Sequence, residues 1–528
     1  MTRVSLSTAL ASLLMLCGVS DALATPRDQK SQGNGSAASA ERRYEYDTEV
    51  EHYASTVPSV DIGGILITHG WFSSQDDYYR GKGIERGGFP SEYSRKHGFA
   101  SDGMLHISAE GGNDALGISY GGSLELDIPH VQRSEYVSFK QVGNRGASVF
   151  LNTRFGDLRA GYLEGVDALM KVDAFSIAAG DNSNLWMRYV NLRDIHDPLE
   201  NSDAAVDLPS EMRKRYLENA FYLSTGLYSQ SILEGGNRFS RGALSPCHGT
   251  SLNLVNAMPF RFSYTSPSLG GLRLGVSYSP FGYDEDKVTR AHVARKLVTV
   301  PNPDGILGLN LGLRGNAGTP VEVRNARSRY IMPLYEHVVN VAVTYKAYIG
   351  GMDFKVSAVS EYAKSKTELL SEHVSFARMD DMRNVALGGM LGYKNLKLAA
   401  SYGYLGAIDR VNNMYDYDEN SGKFALNDQD KVLIKTESTS FWTIGGGYEY
   451  DRAYISVVYR GSNYSGNELD EIAFGAEYYL SSDASRVDCS IFANHHYFRA
   501  QSSAVLDGAR TSGVNKGRVV LAGMKVRF

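Results

Sequence analysis

The last dozen residues, Gly517 to Phe528, alternate in character. Counting back from Phe528, the residues Val526, Met524, Ala522 and Val520 are apolar, and Arg527, Lys525 and Gly523 stand between them. Successive side chains of a β-strand point to opposite faces, so this segment has one oily face and one wet face. A central strand of a soluble sheet, covered on both sides, does not carry that pattern. A barrel strand with lipid outside and water inside does. The same period recurs upstream. Leu272, Leu274, Val276 and Tyr278 alternate with Arg273, Gly275 and Ser277, and Val339, Val341, Val343 and Tyr345 with Asn340, Ala342 and Thr344. Trp442, Ile444, Gly446, Tyr448 and Tyr450 behave likewise, as do Ile472, Phe474, Ala476, Tyr478 and Leu480. Each is a period-two strand signal.

The connections fall into two kinds. Short ones stand at Gly112 to Asp114, Gly156–Asp157, Ser268 to Gly271, Gly350–Gly351, Lys394–Asn395, Asp451–Arg452 and Ser481 to Ala484. Gly, Asn and Asp tolerate the positive φ of tight hairpins. Long polar stretches lie between them, at 73–102, 128–144, 166–256, 283–335, 365–381, 407–437, 462–470 and 499–516. A strict short–long rhythm predicts an all-β fold, a transmembrane antiparallel β-barrel of about sixteen strands with both ends in the periplasm. A soluble β-sandwich would bury one face of each strand but leaves the rhythm unexplained. The barrel is placed at residues 60–528. Its first strand, near Val60 to Phe72, is the weakest signal, because its two faces are almost equally apolar.

Met1 to Ala24 reads as a signal peptide, with Arg3, an apolar run through Leu16, and a small-x-small site at Ala22-Leu23-Ala24. Leu16 before Cys17 is too bulky for the usual lipidation signal. Residues 25–59 are rich in Gly, Ser, Gln and charge and predict a mobile segment. No later stretch has the eighteen consecutive apolar residues of a membrane helix. Aromatics at 11%, with 34 Tyr and 55 Gly, suit girdled strands and tight turns. A net charge of −5 argues against a nucleic-acid binder. Cys247 and Cys489 remain after the signal, and the reading favours free thiols over a disulfide.

Within the third long connection, Pro209 to Ser231 reads as helical, with Asp207 or Ser210 as cap. The run from Pro259 to Tyr278 follows it: an aromatic strand (Phe260, Phe262, Tyr264), a short turn, then Gly271-Leu272-Arg273-Leu274-Gly275-Val276-Ser277-Tyr278. It resembles the hairpin after the constriction loop of Gram-negative general porins. Val149 to Tyr162, with its Phe155-Gly156-Asp157 turn, resembles the preceding hairpin of that family. The chain also resembles, more narrowly, the larger porin-like surface proteins of obligate intracellular alphaproteobacteria. The general resemblance implies a loop folded into the barrel, with acidic side chains facing basic wall residues. Leu233-Glu234-Gly235-Gly236 is nearest to the family's turn at the narrowest point, which makes Glu234 the acidic candidate. It also implies homotrimers, and recognition of the terminal Phe528 by the insertion machinery.

With the apolar set facing lipid, the alternate set faces the lumen. Arg261 and Arg460, further along their strands, are constriction candidates. Arg154, Arg159 and Arg273 lie near short turns, at the periplasmic mouth. Glu110, Glu125, Glu361, Glu449 and Glu477 are among the acidic members, and Lys525 among the basic ones. Opposed charges would set a transverse field and an ion preference. Gly117-Ile118-Ser119-Tyr120-Gly121 matches a nucleophile-elbow pattern, but it sits in an alternating strand, without the turn and helix that an elbow requires. His495 and His496 point to opposite faces of a strand. No enzyme chemistry, metal or cofactor is called for. The expected function is passive diffusion of ions and small hydrophilic solutes. The alternative is a surface adhesin or antigen that uses the barrel as an anchor.

Overall fold

In the computed structural model the alternating segments pair, strand by strand, until the first meets the last and the sheet closes. The structure describes residues 58–76, 96–113, 115–132, 143–180, 185–190, 192, 221–228, 259–282, 298–301, 320–323, 335–365, 368–371, 375–406, 408, 411–418, 423–426, 438–464, 466–481, 487–506 and 509–528. The signal segment and residues 25–57 of the mobile segment therefore lie outside the described residues, and Ser59, the last residue of that segment, already belongs to the first strand. Strands are numbered along the chain. The barrel takes β1 (Ser59–Gln75), β2 (His97–Asn113), β3 (Ile118–Gln132), β4 (Gly143–Thr153), β5 (Gly156–Tyr162), β6 (Phe260–Thr265) and β7 (Leu272–Ser279). It continues with β10 (Tyr335–Ile349), β11 (Met352–Ser365), β14 (Met382–Tyr393), β15 (Leu396–Gly406), β18 (Thr439–Tyr450) and β19 (Ala453–Tyr464). It ends with β20 (Asn467–Tyr479), β21 (Asp488–Leu506) and β22 (Ala509–Arg527). Every neighbouring pair is antiparallel, which makes sixteen strands in all.

The other six strands form two smaller sheets. β8 (Val298–Pro301) pairs with β9 (Pro320–Val323). β12 (Glu368–Ser371), β13 (Ser375–Met379), β16 (Val411–Asp418) and β17 (Lys423–Leu426) join in that order, so two successive long connections share one sheet.

Alternation translates directly into exposure. On β7, Leu272, Leu274, Val276 and Tyr278 are exposed, while Gly275, Ser277 and Ser279 between them are buried. On β18, Trp442, Ile444, Tyr448 and Tyr450 face outward and Phe441 and Thr443 inward. Lipid removes the penalty for the oily row, and closure leaves no sheet edge with unpaired backbone groups. At the seam Gly64 N–H donates to Phe528 O at 2.8 Å. No helix among the described residues is long and apolar enough to cross a membrane.

Two expected long connections are short. β19 and β20 pair to Tyr464↔Asn467, and β21 and β22 to Leu506↔Ala509, because polar residues continue the ladder beyond the apolar band. The turn after β4 is centred on Arg154–Phe155, since Gly156 already pairs with Thr153. Asp451 takes the left-handed backbone (φ 53°) that its tight hairpin requires.

Candidate functional site: the barrel lumen

The connection from β5 to β6 enters the lumen. It leaves β5 through α1 (Val166–Leu169) and a 3-10 turn at Ala174–Ile177, capped by Asp173 accepting from Ser176 N–H at 2.9 Å. A second 3-10 turn follows at Leu185–Tyr189. Irregular backbone buried in a barrel must find partners for its N–H and C=O groups. Here the wall supplies them, strand after strand. Val166 N–H donates to Ser277 of β7 (3.3 Å), Val172 N–H to Ser357 of β11 (2.8 Å), and Ala174 N–H to Thr443 of β18 (3.1 Å). Ala179 N–H donates to Ser456 of β19 (2.7 Å) and Gly180 N–H to Glu477 of β20 (2.8 Å). Asn494 of β21 donates to Ala179 O (2.8 Å) and Lys525 of β22 to Gly180 O (3.0 Å). The segment is an inner belt that follows the wall rather than a bar across it.

The wall is grooved to receive it. A Cβ on Gly275 would lie 2.5 Å from Met170 Sδ, and one on Gly388 would lie 1.7 Å from Val172 O. On Gly445 it would lie 3.3 Å from Ala174 Cβ, and on Gly475 2.7 Å from Ala179 O. These four glycines stand on the inner faces of β7, β14, β18 and β20. They permit a close approach that no side chain would. Of the Gly445-Gly446-Gly447 run, Gly445 belongs to this track, while Gly446 faces outward towards Leu398 and Gly447 makes room for Tyr454.

A return arm, residues 221–228, lies on the belt. Thr225 hydroxyl donates to Asp173 at 2.9 Å, and Lys171 pairs with the same carboxylate at 2.9 Å. Ser462 of β19 donates to Tyr222 O at 2.7 Å, and Tyr222 stacks on Phe441. Residues 221–227, within the helix expected over 209–231, are irregular rather than helical. Aromatic and hydrogen-bond contacts to the wall hold this arm instead.

The predicted site residues separate. Arg261 (0% exposed) donates to Asn340 of β10, and Asn340 and Asn384 both donate to Glu361 of β11. Arg460 (0% exposed) pairs with Glu471, which also bonds His496 Nδ1 at 2.8 Å. Arg460 donates to Leu223 O of the return arm at 2.6 Å and lies over the Phe175 ring of the belt. Both guanidinium groups are on the lumen side but covered. Arg154 is exposed in the β4–β5 turn, over the Phe155 ring. Arg159 is half-buried on β5, facing Phe150 across the ladder, and Arg273 is half-buried at the start of β7. Glu234 lies outside the described residues.

Sequence reasoning missed Asp167 and Asp173, because residues of an aperiodic belt carry no period to read, and it missed Glu471 and the hydroxyl and glycine footings, because strand alternation gives their face but not what docks on it. Asp167 is buried in α1, and its carboxyl is pushed up to about 7 by loss of solvation and by Glu361, with Arg261 acting in the opposite direction. Ser119 sits within β3 and accepts from Asn152 at 3.1 Å, in a strand and not an elbow.

The inner face is uneven. On β7 to β22 many inward polar residues are buried: Ser277, Asn340, Asn384, Thr443, Glu471, Asn494 and Lys525 are each at most 5% exposed, whereas Arg273, Lys355, Lys397 and Glu449, towards the short turns, are half-buried. On β2 to β5 the inward His106, Glu110, Ser123, Glu125, Ser148, Asp157 and Arg159 are only half-buried. No group of His, Cys, Asp and Glu able to hold a metal occurs among the described residues.

Comparison with solved structures finds similarity to an anion-selective porin from Comamonas acidovorans (13% identity, TM-score 0.43), over 89% of this chain and 100% of that one. A mutant of the Rh. blastica porin matches at 10% identity and TM-score 0.41 over the same shares. OmpF of Salmonella typhi in complex with daunomycin matches at 12% and 0.43, over 89% and 97%. No curated protein matches the chain at a significant level. The model of the Gram-negative porin family matches residues 35–487, which is most of the chain. The chain therefore belongs to the Gram-negative porin family, the non-enzymatic, channel-forming β-barrels of the bacterial outer membrane.

Proposed function

We propose that this barrel passes ions and small hydrophilic solutes by passive diffusion, along the inner face of β2 to β5. The observation that carries this reading is the uneven lumen: the charged inward side chains of β2 to β5 stay half-buried, whereas Arg261, Glu361, Arg460, Glu471, Glu477 and Lys525, which meet the belt, its return arm or their footings, are buried. Fixed charges of both signs on that arc, Glu110, Glu125, Asp157 and Arg159, would set ion preference. Arg154 and Arg273 add positive charge at the periplasmic mouth, and Glu234 is retained as the acidic member from the third loop. Arg261 and Arg460 serve as anchors of the belt and return arm. Association into homotrimers and insertion through Phe528, as the family resemblance implies, and export by the 1–24 signal read from the sequence complete the reading. The sheet joining β12, β13, β16 and β17 favours display at the cell surface as a second role.

Planar-bilayer recording of the purified protein tests it. Open channels are expected, and Arg159→Gln should shift the reversal potential towards cations in low salt, where one fixed charge is least screened. A protein that inserts but does not conduct would leave the anchor role alone. A channel indifferent to Arg159→Gln would move the path off this arc.

A further inference from the structure

The lumen face of the closing seam carries a buried apolar patch, which a water-filled barrel does not favour. The seam joins β1 to β22 in the register Ile67↔Lys525, His69↔Gly523, Trp71↔Leu521 and Ser73↔Val519. All of these point inward. Ile67, Trp71, Val519 and Leu521 are buried, and Val519 and Leu521 are fully so. On the opposite face of the same strands Leu66, Phe72, Val520 and Met524 are exposed in the outward row. At Ile67, Trp71, Val519 and Leu521 the two strands are therefore apolar inside as well as outside. Lipid covers one side, and the belt covers the other.

The cover is specific. Leu185, Trp186, Met187, Tyr189, Val190 and Leu192 join Ile67, Trp71, Val519 and Leu521 in one cluster. Tyr189 stacks on Trp71 of β1 at 4.4 Å between centroids, and its hydroxyl bonds His69 at 2.6 Å. Trp186 stacks on Phe498 of β21. Just before, Lys525 of β22 is ion-paired to Glu477 at 2.6 Å and holds Gly180 O. One short stretch of chain thus grips the strands on both sides of the junction where the barrel can open.

We propose that residues 185–190, with Gly180 upstream of them, are a latch for barrel closure, a role of the third loop separate from narrowing the channel. A barrel without covalent closure comes apart where its first and last strands meet. A segment bonded to both must detach before they part, so it slows that step. Trp186 and Tyr189 act as positioning residues, through the seam strands.

The experiment measures the unfolding rate of the full chain in detergent, read as loss of the compact band of unheated protein on a gel. Cys247→Ser and Cys489→Ser are present throughout. Leu66→Cys with Val526→Cys places a disulfide on the lipid side of the seam, at positions that are direct partners in the register. Opposed antiparallel residues are close enough for such a bond. With the seam free, Trp186→Ala should speed unfolding at least about tenfold and Tyr189→Phe less, as loss of a late-forming contact raises the unfolding rate. With the seam cross-linked, both effects should shrink to about twofold or below, since the opening step is then blocked. Met170→Ala, in the belt but packed against β7 and β10 to β14, should be insensitive to the cross-link. Equal effects of Trp186→Ala with and without the cross-link overturn the latch and leave ordinary packing. Should Trp186→Ala fail to assemble, Tyr189→Phe decides alone: an unchanged rate in the free barrel overturns the proposal.

Discussion

At the residue scale the lumen holds charges that do not face solute. Asp167 is the clearest. Burial and Glu361 raise its folded value to about 7, well above the usual carboxylate, so the folded protein binds a proton that the unfolded chain releases. Its contribution to docking α1 is fully present below the ordinary carboxylate pKa. It is lost progressively as pH rises from about 4 through about 7. The charged groups facing it are Glu361 of β11, Arg261 of β6 and Glu164 of its own segment, while β7 and β10 offer the neutral Ser277 and Asn340. Hydrogen-exchange protection of residues 163–170, corrected for the intrinsic pH dependence of amide exchange, should therefore fall between about pH 4 and 7, and Asp167→Asn should abolish that trend. A trend that survives in the variant assigns the titration elsewhere.

At the element scale the strands were legible and the belt was not. Leu272 to Tyr278 or Trp442 to Tyr450 declare two faces by composition alone, because lipid and water demand opposite residues at every second position. Val60 to Phe72 was the weak strand for a physical reason. Its inner face meets the belt, not water, so Ile67 and Trp71 could be apolar there. Arg261 and Arg460 were read as lumen-facing, which they are. Their burial depends on α1 and Leu223, which approach from elsewhere in the chain. The glycine track makes its own prediction. Gly388→Val puts a side chain where Val172 O now lies, which pushes the belt towards the axis. Single-channel conductance should fall. Gly389→Ala, on the outward face with its nearest neighbour at 3.6 Å, should conduct as the parent. Equal conductance of the two variants would mean that the belt does not bound the path.

At the scale of the whole molecule the barrel is single-walled on one arc and double-walled on the rest. From β7 round to β1 the sheet has a second layer of backbone bonded to it, whereas the described inner face of β2 to β5 stays half-open. A tube of this kind is mechanically lopsided. Squeezed by a thicker or thinner bilayer, it gives on the thin arc first. The amides of β3 and β4 should then exchange faster than those of β19 and β20 by about tenfold, and the difference should widen as lipid thickness departs from the match. Uniform exchange around the ring would remove this reading. The compliant arc is the one assigned to solute, so the stiff side of the molecule would hold the shape while the soft side sets the bore.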